Sequence, residues 1–81
     1  MKSQLLRLGI LEVLNEIGIA PEKTILLALN GVLRLGVTYT DMRSELQKLE
    51  EAHRVVSVTD RNDIRLWDIT TDGKADRSEY L

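Results

Sequence analysis

Residues 35–52 read LGVTYTDMRSELQKLEEA. Gly36 can stop a preceding helix. Thr38 can cap the next one, with Asp41 three residues on, where a capping box usually has the longer Glu or Gln. Met42, Leu46 and Leu49 then recur at helical spacing and mark an inner face. Asp41, Arg43, Ser44, Glu45, Gln47 and Lys48 are left on the flanks and outer side. The stretch therefore predicts a turn followed by an amphipathic helix from Thr38 to Ala52.

Upstream, Leu6, Ile10, Val13 and Ile17 recur at spacings of four, three and four, widened by Leu11 and Leu14, and predict a helix from Ser3 to Ile17. Ser3 can cap its start and Gly18 can take the left-handed conformation that ends it. Pro21 suits the first position of a second helix, expected from about Pro21 to Arg34, because its missing N–H is harmless there. Ile25 to Leu29, then Val32 and Leu33, make that helix apolar on nearly every face, so it is either buried or bears a partner.

Downstream, Val55 to Thr59 is a short β-branched run. Asp60, Arg61, Asn62 and Asp63 form a turn, and Ile64 to Thr70 returns as a second strand. Trp67 and Ile69 share one face of that strand, while Ile64 and Leu66 point the other way unless a bulge resets the register. Thr70 to Gly73 can open a last helical turn, with a polar tail from about residue 74 expected to fray.

The 81 residues suffice for one domain, 1–81, and not for two independent cores. With 43% hydrophobic and 30% charged residues of mixed sign, the chain reads as a folded protein with a small aliphatic core. There is no cysteine and only one histidine, His53, which removes disulfides and histidine- or thiolate-based metal sites. No cofactor is implied. The carboxylate pairs Glu50–Glu51 and Asp60–Asp63 have no neighbour that would separate their pKa values for acid–base work, and no phosphate loop or nucleophile elbow is present, so no enzyme is expected. No apolar run approaches the length of a membrane span, and Arg7, Glu12 and Glu16 interrupt any signal-peptide core. A cytoplasmic address and no membrane partner are expected.

The order helix, helix, helix, strand, strand, with the 35–52 stretch and the later LWDITTDG at residues 66–73, resembles the winged-helix transcription regulators of bacteria. The resemblance covers about residues 35–73. It departs at His53, where those regulators commonly have glycine, and at Arg54, where an aliphatic residue is usual; histidine tolerates the left-handed region better than most residues. The resemblance implies an α+β, mainly helical fold: a three-helix bundle with a C-terminal two-stranded hairpin as the wing.

It also implies that the helix at 38–52 reads double-stranded DNA in the major groove, through Tyr39, Thr40, Arg43, Ser44 and Gln47. Arg43 would pair with guanine, Gln47 with adenine, and Lys48 with phosphate. In the wing, Arg61 and Arg65 would approach the minor groove, against the partly cancelling Asp60 and Asp63. A homodimer is expected, since such regulators read paired half-sites. The alternative is a winged-helix module that binds protein and no DNA. The net charge of −2, and one more acid than base across residues 38–54, speak for that alternative because phosphate-binding domains usually carry a basic excess.

Overall fold

A computed structural model describes residues 3–79. The first helix, α1 (Ser3–Ile17), is the centre of the packing, touching every later helix and the sheet. Leu6, Ile10, Leu11, Val13 and Leu14 are buried, as the apolar stripe predicts, whereas Ile17 at the end of the stripe is exposed. Gly18 ends α1 at φ 85°, its N–H on the Leu14 carbonyl at 2.8 Å.

Pro21 does not start a helix. It lies with Ala20 in a short strand, β1 (Ala20–Pro21), antiparallel to a later strand with Ala20 opposite Trp67 and Pro21 opposite Leu66. Proline is tolerated there because β1 is an edge strand. The second helix, α2 (Glu22–Gly31), is shorter than the sequence pattern suggests. Val32 and Leu33 both donate to the Ala28 carbonyl, and Arg34 turns left-handed at φ 55°. The Asn30 amide then holds both the N–H and the carbonyl of Val37, at 2.8 and 2.9 Å, and so fixes the loop into the next helix.

The third helix, α3 (Tyr39–Glu51), begins where expected: Thr38 Oγ1 accepts the Asp41 N–H at 3.1 Å. Met42, Leu46 and Leu49 are fully buried. Glu45, placed by spacing on the outer flank, is buried as well, with Lys48 Nζ 3.9 Å from its carboxylate. At the other end Arg54 N–H bonds to the Leu49 carbonyl and His53 N–H to that of Glu50, with His53 at φ 60°. This is a Schellman closure with histidine in the position that glycine usually fills.

Strands β2 (Val55–Thr59) and β3 (Arg65–Ile69) form the expected hairpin, with Ser57 opposite Trp67 and Thr59 opposite Arg65. Trp67 and Ile69 face the core and Ile64 is exposed, so no bulge resets the register. Because β1 joins β3 on its other edge, the sheet has three strands in the order β1-β3-β2.

The segment after Thr70 is a nine-residue helix, α4 (Thr71–Glu79). Thr70 caps it, and ion pairs Arg7–Asp76 and Arg77–Glu12 tie it to α1. The architecture is thus α+β and mainly helical: the expected bundle and hairpin, extended by β1 and α4.

Candidate nucleic-acid interface

Thr40, Arg43, Ser44 and Gln47 are exposed and follow each other at spacings of three, one and three, which puts them on one face of α3. Lys48 borders this face, and its side chain is 66% exposed. The opposite face of the helix holds Met42, Leu46 and Leu49 in the core, so the outer face cannot rotate inward without emptying that core.

Tyr39, in the first turn, belongs to a relay. Arg43 Nη1 donates to the Tyr39 hydroxyl at 3.2 Å, and that hydroxyl donates to Glu22 Oε1, which lies 3.6 Å from the same guanidinium nitrogen. The second oxygen of Glu22 accepts the indole N–H of Trp67 at 3.2 Å. The Tyr39 hydrogen bond, and after it the Glu22 charge, hold the Arg43 guanidinium above its ordinary pKa. Its side chain is still 55% exposed, whereas that of Glu22 is 13% exposed.

Arg65 opens β3 beside the turn, opposite Thr59, but its side chain is folded back along the hairpin toward α3 and does not reach outward. Its guanidinium lies 4.4 Å from the centre of the Trp67 ring, Nη2 donates to Glu50 at 3.0 Å, and Nε donates to Ser57 Oγ at 3.0 Å. Ser57 Oγ in turn donates to Glu50 at 2.7 Å. Arg43, Gln47, Glu50, Arg65 and Trp67 line a small cavity of about 160 Å³ between α3 and the hairpin.

Arg61 is exposed at the tip. The turn is organised by Asp60, whose Oδ1 accepts the N–H groups of Asn62 and Ile64 at 2.8 and 3.0 Å, with Asp63 at φ 60°. Asp60 therefore shapes the loop that presents Arg61.

Two of the acids that weigh against phosphate contact in the sequence are internally occupied. Glu45 is buried beside Lys48, and Glu50 is held by Arg65. Asp41 and Glu51 are the exposed acids of α3. Spacing alone did not single out Glu22 or Glu50, because their partners lie 17, 45 and 15 residues away.

A second surface is apolar. Leu5, Ile17, Val32 and Leu33, on α1 and at and after the end of α2, are exposed on it. Two cavities of about 300 and 320 Å³ meet at Glu12 and Leu33 on this side. Among the described residues no helix is long and apolar enough to cross a membrane.

No protein-family model matches the sequence, and no curated protein matches it. Solved structures do match. A transcriptional regulator from Clostridium thermocellum superposes with a TM-score of 0.83 at 18% identity, over 99% of this chain and 84% of that one. Bacillus subtilis PadR in complex with operator DNA gives 0.80 at 18% identity, over 95% of this chain and 46% of PadR. Bordetella bronchiseptica BpsR, whose DNA binding is regulated by 6-hydroxynicotinic acid, gives 0.77 at 18% identity, over 94% and 51%. The chain spans about half the length of PadR and of BpsR. What it shares with all three is a fold, the winged helix.

Proposed function

We propose that this chain is a DNA-binding transcription regulator, and not an enzyme, which reads the major groove with α3 and sets the hairpin tip against the backbone or minor groove. The observation that carries this reading is the single exposed face formed by Thr40, Arg43, Ser44 and Gln47, backed by a buried face that fixes its direction. In this role Arg43 pairs with a guanine edge and Gln47 with adenine, while Tyr39, Thr40, Ser44 and Lys48 serve neighbouring edges and phosphates. Arg61 is the wing contact, and Arg65 braces the hairpin against α3 through Glu50 and Trp67. The likeness to PadR bound to operator DNA supports the reading at the level of fold.

A single reading helix covers one half-site, so the regulator works as a homodimer in the cytoplasm, with the exposed apolar side of α1 and α2 as the contact between copies. Val32 is 78% exposed and is a suitable probe, since Val32→Asp should leave the monomer folded and abolish self-association seen by light scattering.

The experiment is retention on heparin and then on mixed genomic fragments, at low and physiological salt. Retention of a selected fragment that weakens steeply with salt is the expected result. Arg43→Ala and Gln47→Ala should each weaken the specific complex by about 1–3 kcal/mol with the fold intact, and Lys48→Ala should lower the salt slope by about one. Equal binding by both reader variants would overturn the assignment of α3. No retention at either salt, with a protein partner captured on the apolar face, would favour the second reading, a winged-helix interaction module, which the net charge of −2 supports.

A further inference from the structure

Glu22 opens α2 and is not on the exposed face of α3, yet its carboxylate is where three elements meet. Oε1 receives the Tyr39 hydroxyl and lies 3.6 Å from Arg43, both on α3, and Oε2 receives the indole N–H of Trp67 on β3. A carboxylate at 13% exposure would ordinarily be a poor neighbour for a phosphate-binding surface. Here it is turned inward and holds its contacts by charge-assisted bonds, which are shorter and stronger than neutral ones.

We propose that Glu22 is a positioning residue for DNA readout: through Tyr39 it fixes the pose of the Arg43 guanidinium, and through Trp67 it registers that pose against the wing. This rests on the DNA reading above. An arginine side chain has many rotamers, and freezing them on binding weakens a complex; a guanidinium held beforehand on one edge loses less. Arg43 uses Nη1 for the relay, and its side chain remains 55% exposed, so more than half of it stays open to a partner. The negative charge of Glu22 also opposes phosphates in general. Two effects of opposite sign follow. Removing the charge should favour DNA of any sequence, and releasing Arg43 should penalise only the selected sequence.

The test compares binding to the selected genomic fragment and to random duplex of equal length, for the parent, Glu22→Gln, Arg43→Ala and the double variant. The ratio of specific to non-specific affinity should fall roughly tenfold in Glu22→Gln, one factor of ten being the scale of partial rotamer ordering. Random-duplex binding should hold or rise. In the Arg43→Ala background Glu22→Gln should leave the ratio unchanged, which a general loss of structure would not do. Trp67 is the chain's one tryptophan, so a change of its emission in Glu22→Gln reports loss of the indole contact independently of DNA. Should Glu22→Gln lose its fold, Glu22→Asp withdraws the carboxylate by one methylene and keeps the charge, so the ratio should fall as in Glu22→Gln while random-duplex binding stays at the parent level. An unchanged ratio in a folded variant, or an equal fall in the Arg43→Ala background, overturns the positioning role while leaving the DNA reading in place. A parent that selects no fragment removes both.

Discussion

The Thr70 hydroxyl donates to the His53 carbonyl at 2.7 Å, joining the end of the third helix to the start of the fourth. The same oxygen accepts the Gly73 N–H at 3.0 Å, and the Thr70 N–H bonds to the Arg54 carbonyl at 3.0 Å. One residue thus caps α4 and secures the left-handed turn that releases the chain from α3 into the wing.

Thr70→Val removes both side-chain bonds and keeps the shape. Stability to urea should fall by about 1–2 kcal/mol, the usual worth of a helix cap, with Thr70→Ser near the parent. An unchanged midpoint in Thr70→Val would mean that water replaces both bonds without loss.

His53 is exposed and sits at φ 60°, so its side chain contributes little packing in exchange for a conformation that suits glycine. His53→Gly should stabilise the protein by about 0.5–1 kcal/mol, and the Thr70 bond survives because it goes to the backbone. His53→Val should destabilise it by about 1–2 kcal/mol, since a β-branched side chain resists that region. Thermal unfolding of the two variants in opposite directions from the parent is the diagnostic pattern.

Gly73 is required for a different reason. A Cβ there would lie 2.1 Å from the Arg54 carbonyl oxygen and 2.7 Å from Ile69 Cγ1. Backbone cannot yield as a side-chain tip does, so Gly73→Ala should cost about 3 kcal/mol and undock α4 from the wing base. Hydrogen exchange of α4 amides should accelerate first. Parental protection there would contradict the packing of α4 against Arg54.

The two wing arginines should separate cleanly. Arg65→Ala loses the Trp67 ring, Glu50 and Ser57 together, and with its side chain 40% exposed the expected cost in stability is about 1 kcal/mol. Arg61→Ala should change stability by less than about 0.5 kcal/mol and weaken DNA retention. A stability loss in Arg61→Ala with none in Arg65→Ala would reverse their roles.

Local chemistry was legible in the sequence. Thr38 caps α3, Gly18 ends α1, and the spacing of Met42, Leu46 and Leu49 sets the inner face of α3, because each depends on neighbours within a turn or two. Alternation likewise put Trp67 and Ile69 on one face of their strand, and that face is the buried one. The misplaced boundaries have tertiary causes. Pro21 is drawn into a strand by pairing with Leu66, and Asn30 closes the loop after α2 by holding Val37. The polar tail gains a helix through Thr70 and through ion pairs reaching Arg7 and Glu12.

Periodicity, a local property of the chain, sufficed for the order of α1, α2, α3, β2 and β3 and for the apolar faces of α1 and α3, whereas β1 and α4 depend on distant partners. Which charges are free is a property of the folded chain. Glu22, Glu45 and Glu50 count equally with Asp41 and Glu51 in a formal sum, but folding sets the first three against Arg43, Lys48 and Arg65. Charge adds along a sequence regardless of position, whereas its effect on a partner depends on distance and burial, and these exist only once the chain has folded.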